Sequence, residues 1–307
     1  MIILSGGTGS PKLIDGLRQI LPDEEITVIV NTGEDIWSSE VFITPDIDTV
    51  LYLFAGILDK TKWWSIVGDT YNTYDQMKEL GQNEFLMLGD RDRAVNLVRT
   101  KLMKDGLTLT EATAEIANQF GIKANIIPMS DEIVTSMIET PDGKIHFQEF
   151  WVTKKGAPEI LSFEYEGAKN AKLSPAAKKI LEKEDCVIIG PSNPMTSIGP
   201  ILALPEIKEI LKNKKVIAIS PIIGNAPVSG PAGKLMASKG LEVSSKGVAE
   251  LYQEVVDIFV YDIRDDLIDP KEVEAMGISA VALDTMMTDE RKRKELAENI
   301  LKLFEKL

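Results

Sequence analysis

A chain of 307 residues can bury a large hydrophobic core, and its 34 Lys plus Arg against 48 Asp plus Glu leave a net charge of −14. That balance gives no long-range attraction for nucleic acid or anionic lipid, so any nucleotide has to be held by local geometry. One histidine and one cysteine exclude an internal disulfide, a His/Cys zinc site, a Ser-His-Asp triad and a Cys-His pair within one chain.

No apolar run approaches the roughly 18 residues that a membrane span needs. The first residues already read as a core strand, which leads us to expect a cytoplasmic protein without a signal peptide. That opening run, Ile2-Ile3-Leu4, breaks into Ser5-Gly6-Gly7-Thr8-Gly9-Ser10-Pro11 and then into the apolar spacing Leu13, Ile14, Leu17. Strand, glycine-rich turn and helix are expected. The glycines should permit positive φ and close approach of a ligand to the main chain, and Pro11 suits a first helical turn. The helix N-terminus is then open to a phosphate. Lys12 stands where the dinucleotide fingerprint has its third glycine, so the motif is neither that fingerprint nor a P-loop. By itself it fits either a phosphate-binding turn or a tight strand-to-helix connection.

Further along, residues 26–30 read as a strand ending in Asn31-Thr32-Gly33-Glu34-Asp35. Residues 41–43 lead through Thr44-Pro45 into Asp46-Ile47-Asp48-Thr49 and a helix over 50–58. A strand over 85–88 runs into Gly89-Asp90-Arg91-Asp92, followed by helices over 93–104 and 109–120. Residues 125–127 form a strand ending in Pro128-Met129-Ser130-Asp131. From 133 to 167 the pattern changes to a small β-rich excursion, with a hairpin of strands 134–139 and 144–152 and a third strand near 160–165. His146 alternates with apolar neighbours in that hairpin. The doubly wound pattern resumes with 187–189, ending in Gly190-Pro191-Ser192-Asn193, then 216–219, ending in Ser220-Pro221-Ile222-Ile223-Gly224, then a strand over 255–261 and a terminal helix over 290–307. Cys186 opens a buried-strand pattern and reads as an inert core thiol. Strands alternating with helical segments predict an α/β protein with a Rossmann-like, mainly parallel, doubly wound sheet. One domain over 1–307 carrying the excursion accounts for the whole pattern.

Six polar loops, at 6–10, 31–35, 89–92, 128–131, 190–193 and 220–224, each follow an expected strand. In an open parallel sheet the carboxyl ends of the strands form the ligand crevice. Single residues also have plainer readings. Asp46 suits a helix N-cap, Asp48 a favourable charge in a first helical turn, and Asp90, Arg91 and Asp92 a surface charge cluster. Trp63 and Trp64 suit either core packing or a stacking platform. A divalent metal held by one or two carboxylates and phosphate oxygens could use Asp35, Asp46, Asp48, Asp90 or Asp92. Such a site serves phosphoryl transfer, for which histidine is dispensable.

Together, Gly6-Gly7-Thr8-Gly9 with Lys12-Leu13, Asn31-Thr32-Gly33-Glu34-Asp35, Pro45-Asp46-Ile47-Asp48-Thr49, Leu88-Gly89-Asp90-Arg91-Asp92, Pro128-Met129-Ser130-Asp131, Asn193-Pro194 with Ser197-Ile198-Gly199-Pro200, and Ser220-Pro221-Ile222 with Gly230-Pro231 resemble the 2-phospho-L-lactate transferase family. The resemblance spans nearly the whole chain in order. It implies a Rossmann-like homodimer that needs Mg²⁺. The reaction implied is transfer of a phospholactyl group from lactyl-2-diphospho-5'-guanosine to the ribityl hydroxyl of the deazaflavin Fo, releasing GMP. Carried over by motif, Asp48 and Asp46 are the catalytic candidates, and Asp48, Met87, Asp90 and Arg91 hold the deazaflavin. Gly7, Thr8, Gly9 and Lys12 hold nucleotide and phosphates together with Gly190, Pro191, Ser192 and Asn193. Asp35, Asp46 and Asp48 are the metal candidates. Departures from the family pattern are Ser10 for a glycine, Glu34 for an aspartate, and Val95-Asn96 for a Thr-His pair. A related branch implies a second reading, a nucleotide-sugar-binding regulatory protein that is not an enzyme. An NAD-dependent oxidoreductase is disfavoured by Lys12.

Overall fold

Successive side chains of a strand point to opposite faces of its sheet. In β1 (Ile2–Ser5) Ile2 and Leu4 accordingly join one hydrophobic core and Ile3 the other. The same alternation sorts Ile29 from Val28 and Val30 in β2 (Thr27–Val30), and Ala218 from Ile217 and Ile219 further on. Both faces are covered, which is why these strands are nearly continuous apolar runs. The computed structural model describes residues 1–228 and 230–307.

The remaining strands are β3 (Ile36–Ser38), β4 (Val41–Ile43), β5 (Asn125–Pro128), β6 (Thr135–Thr140), β7 (Gly143–His146), β8 (Ser162–Glu166), β9 (Cys186–Ile189), β10 (Lys215–Ile219), β11 (Ile222–Ile223), β12 (Ala226–Pro227), β13 (Ile258–Asp262) and β14 (Ser279–Leu283). The central sheet has seven strands in the order β14-β13-β10-β9-β1-β2-β5. Every pairing in it is parallel. The chain builds outward from β1 on one side through β2 and β5, then returns to the other side at β9. The topological switch point therefore lies between β1 and β9, where ligands of open α/β sheets bind. The α/β, Rossmann-like reading holds.

Five helices matter for the site: α1 (Gly9–Leu17), α2 (Pro45–Phe54), α3 (Asn72–Glu79), α4 (Asp90–Lys104) and α5 (Leu109–Gln119). Behind α1 packs the helix Glu290–Phe304, so closely that a Cβ on Gly16 would meet the Arg293 carbonyl.

Several local expectations are corrected. Residues 85–88 form no strand, and Gly89 is simply the residue before α4. Helix α2 starts at Pro45, placing Asp46 and Asp48 in its first turn. The excursion does form an antiparallel sheet, β7-β6-β8. Its second strand stops at His146, however, and Glu149–Thr153 winds into a π-helical turn. Strand β14 is an addition to the expected elements: its short, alanine-rich run is only partly buried and lacks the unbroken bulky apolar residues of the inner strands. Cys186 is only partly buried, at the end of β9 away from the carboxyl-end loops.

Candidate active site

The glycine turn after β1 and the loop after β9 are laced together by one hydroxyl. Ser192 Oγ accepts the N–H of Gly6 at 3.3 Å and of Ser10 at 3.1 Å, and shares a hydrogen bond with Ser10 Oγ at 2.7 Å. Gly6, Gly7 and Gly9 all have negative φ, so the expected need for positive φ is not what selects them. Close approach is: a Cβ on Gly9 would strike the Pro191 carbonyl. Gly190 plays the matching part, since a Cβ there would strike the Ser10 hydroxyl.

In front of this seam lies a cavity of about 640 Å³, a size suited to small-molecule ligands. Gly7, Thr8, Gly9, Lys12, Pro191, Ser192 and Asn193 line one part, where the N-terminus of α1 favours an anion. Asp46, Asp48, Tyr52 and Asp92 line another, beside an apolar wall of Ile43, Trp64 and Phe85 to Leu88. The excursion supplies Gln148, Trp151 and Val152, and the stretch after β14 supplies Thr285 to Thr288. Among the described residues, the lining holds four carboxylates, Glu34, Asp46, Asp48 and Asp92, and one cation, Lys12.

Each charge is held differently. Asp46 Oδ2 accepts the Asn31 amide at 2.8 Å, and the Gly7 main chain lies against its other oxygen. Burial pushes the Asp46 carboxyl up to about 7. Asn31 is itself oriented, since its Oδ1 accepts the Gly33 N–H at 2.8 Å and its amide also reaches the Thr196 carbonyl at 3.0 Å. Burial, then the charge of Asp46, raises Glu34 well above the usual range, although Gln148 donates to it at 2.7 Å. Asp48 forms a two-pronged ion pair with Arg99, which is fully buried. Arg99 also donates to Asn96 Oδ1 at 2.7 Å, and Asn96 returns its amide to Asp92 Oδ1 at 3.2 Å. Tyr52 donates to the same Asp92 oxygen at 2.6 Å. Lys12 is half-buried, its ammonium 5.5 Å from the centre of the Trp63 ring. Burial and then the charge of Arg293 lower its pKa.

Residues 1–301 match the 2-phospho-L-lactate transferase CofD family. The chain is 55% identical over 304 residues to the 2-phospho-L-lactate transferase of Methanosarcina mazei, with 99% of this chain and 100% of that protein covered. The chain belongs to the 2-phospho-L-lactate transferase CofD family. A CofD-family relative named 2-phospho-L-lactate transferase in Methanocaldococcus jannaschii is 45% identical over 303 residues, covering 97% of this chain and 96% of its own. The crystal structure of a UPF0052 family protein from Bacillus halodurans has a similar fold. Its TM-score is 0.67 over 98% of this chain and 97% of its own, at 16% identity.

Against that family frame, the expected nucleotide residues Gly7, Thr8, Gly9, Lys12, Pro191, Ser192 and Asn193 come together in the cavity, as do Asp46, Asp48 and Met87. Gly190 sits behind them as a spacer. Two deazaflavin candidates do not reach the lining: Asp90 is engaged by the 70–73 segment, and Arg91 is exposed and donates to the Val67 carbonyl at 3.2 Å. Asp35 is also off the lining, buried with both carboxylate oxygens unpartnered and its pKa raised well above the usual range by burial. The 128–131 loop ends the edge strand and stays out of the cavity, with Asp131 accepting the Thr110 N–H of α5. Trp63 is core and Trp64 lines the cavity. Sequence reasoning missed Arg99, Tyr52, Gln148, Trp151 and Thr285 to Thr288. Only Arg99 left a signal, because Asp92, Asn96 and Arg99 share one face of a helix.

Proposed function

We propose that this chain transfers the phospholactyl group of lactyl-2-diphospho-5'-guanosine to the ribityl hydroxyl of Fo and releases GMP. One observation carries the reading. An anion-favouring helix N-terminus with Lys12 opens into the same cavity as a carboxylate group flanked by an apolar, aromatic wall. The first suits the donor's phosphates, and the second suits a flat heterocycle bearing a polyol chain.

Four carboxylates against one lysine make a poor setting for a diphosphate unless positive charge is added. The donor chemistry fits Mg²⁺, which takes one or two carboxylates together with substrate phosphates. Asp46 and Glu34 are the residues that would hold it, both being cavity-facing and both with pKa values raised by burial. When bound, the cation supplies charge to the phosphate oxygens. The chain's own residues do the rest. The α1 N-terminus and Lys12 hold the donor, and Arg99 neutralises Asp48. The apolar wall excludes water beside the acceptor. Neither Cys186 nor His146 lines the cavity, so the acceptor hydroxyl attacks phosphorus directly, with inversion. The family resemblance adds a cytoplasmic homodimer to the proposal. Among the described residues no helix is long and apolar enough to cross a membrane.

The test is incubation of purified protein with Fo, candidate guanosine donors and Mg²⁺, followed by product masses. Fo gaining a phospholactyl group, with one GMP per product, supports the reading. Thermal protection by guanosine nucleotides without any product would instead return the chain to the regulatory nucleotide-sugar-binding alternative.

A further inference from the structure

Four of the five aspartates first considered for the site are already engaged or out of reach. Asp48 is committed to Arg99, Asp46 to Asn31 and to the proposed cation, and Asp90 to the 70–73 segment. Asp35 does not reach the lining. Asp92 remains. It stands in the first turn of α4, immediately after the apolar wall ends at Leu88, and lines the cavity. Its Oδ1 is fixed from two sides, by the Tyr52 hydroxyl at 2.6 Å and the Asn96 amide at 3.2 Å. Among the described residues its Oδ2 has no partner, and it is not among the sealed polar atoms. One oxygen is anchored and the other is left open in a residue that lines the cavity, the arrangement that a positioned base requires.

We propose that Asp92 is the general base that takes the proton of the acceptor hydroxyl, with Tyr52 and Asn96 as positioning residues. This assignment rests on the transferase reading above. As the hydroxyl oxygen bonds to the lactyl-bearing phosphorus, its proton passes to Asp92 Oδ2. The bond from that phosphorus to the bridging oxygen breaks, and its electron pair leaves on GMP.

The surroundings tune the group for this work. Burial, then the negative charge of Asp48 on α2, pushes the Asp92 carboxyl up to about 6. The Tyr52 hydroxyl and the Arg99 guanidinium pull it down, and Asp69 pushes it further up. A carboxyl with that value is ionised at neutral pH yet basic enough to accept a proton. Turnover should therefore rise with pH through about 6.

The test is the pH profile of kcat for wild type and two variants. Asp92→Asn should lower kcat by about 10²-fold or more and abolish the acid limb, while GDP should raise the melting temperature of the variant and of wild type alike. Tyr52→Phe keeps the carboxylate but removes a donor that lowers its pKa, so its acid limb should move to higher pH with KM for the donor unchanged. This second variant decides the matter if Asp92→Asn does not fold. Near wild-type turnover with an intact acid limb in Asp92→Asn, or an unmoved limb in Tyr52→Phe, overturns the assignment. A wild-type protein that makes no product overturns the transferase reading and the role of Asp92 with it.

Discussion

Asp69 and Asp90 cap one another's helices. The Asp69 carboxylate accepts the N–H of Arg91 at 2.9 Å and of Asp92 at 3.0 Å, at the start of α4. Asp90 answers by accepting the N–H of Asn72 at 3.1 Å and of Thr73 at 2.9 Å, at the start of α3, along with the Thr70 hydroxyl at 2.6 Å. Orphan N–H groups at two helix starts are thereby satisfied by carboxylates that the helix dipoles also favour. Asp69 thus fixes the turn that carries Asp92.

Asp69→Ala should cost about 1 kcal/mol, as for loss of an N-cap, and lower turnover by letting the Asp92 turn drift. For Asp90 the pH dependence has a definite sign. The Thr70 hydroxyl and the Thr73 N–H hold its carboxyl well below the usual range. Its contribution is therefore complete above the unfolded value of about 4 and fades as pH falls toward the folded one. Amide protection in α3, taken relative to the intrinsic exchange rate, should fall below about pH 4, and Asp90→Ala should lower the protection of the same amides at neutral pH. Unchanged protection in that variant would show that the clasp does not hold α3.

Asp48→Asn should destabilise the fold as well as impair the site. It strands the Arg99 guanidinium, which is fully buried, and breaking such a pair typically costs about 3–5 kcal/mol. Urea unfolding measures this, and Asp48→Asn combined with Arg99→Met should recover much of the loss. If the single variant unfolds at the wild-type midpoint, the pair contributes no stability.

Between about pH 4 and 7, protein free of ligand should become less stable as pH rises. Asp46 is pushed up to about 7 by burial, so the folded state keeps a proton that the unfolded chain releases near 4. Its stabilisation is complete below the unfolded value and lost as pH climbs through the folded one. Depressed carboxylates such as Asp90 and Asp262 act below this window. His146, lowered by burial, acts in the opposite sense but is common to wild type and Asp46→Asn, so it cancels in their difference. That difference should slope across the window; a flat one would mean that Asp46 titrates normally.

Gly9→Ala should abolish protection by guanosine nucleotides. A Cβ there collides with the Pro191 carbonyl, and the seam between the β1 and β9 loops has to open. Calorimetry against GDP reads the result, and retained affinity would place the phosphates elsewhere.

The sheet was legible because strands buried on both faces leave unbroken apolar runs at regular intervals, and the carboxyl-end loops followed from it. Residues 85–88 misled because an apolar wall facing a cavity has the composition of a strand. The glycines of the first turn need no positive φ, and a sequence shows that a side chain is absent, not which carbonyl fills its place. Asp48 looked free because its partner lies 51 residues away. Gln148, Trp151 and Thr285 to Thr288 are brought to the cavity by tertiary structure alone, and no local pattern announces them. Asp90 and Asp92, alike in sequence, diverge because positions two apart on a helix lie on nearly opposite sides of it, here with one engaging the start of α3 and the other lining the cavity.

The strand order also sets a timetable for synthesis. Ile2 pairs with Thr27 on one side but with Val187 on the other, so β1 leaves the ribosome long before its second neighbour exists. The support behind α1 comes later still, with the helix Glu290–Phe304, and the Thr285 to Thr288 wall follows β14. Such distant pairings form slowly, because a long loop must close before the contacts reward it. A nascent chain that already carries the glycine turn and every carboxylate of the cavity therefore still lacks part of the cavity wall. The cavity is completed only when the last strand and helix dock, and until β9 pairs with it the open edge of β1 is the surface that a chaperone would have to shield.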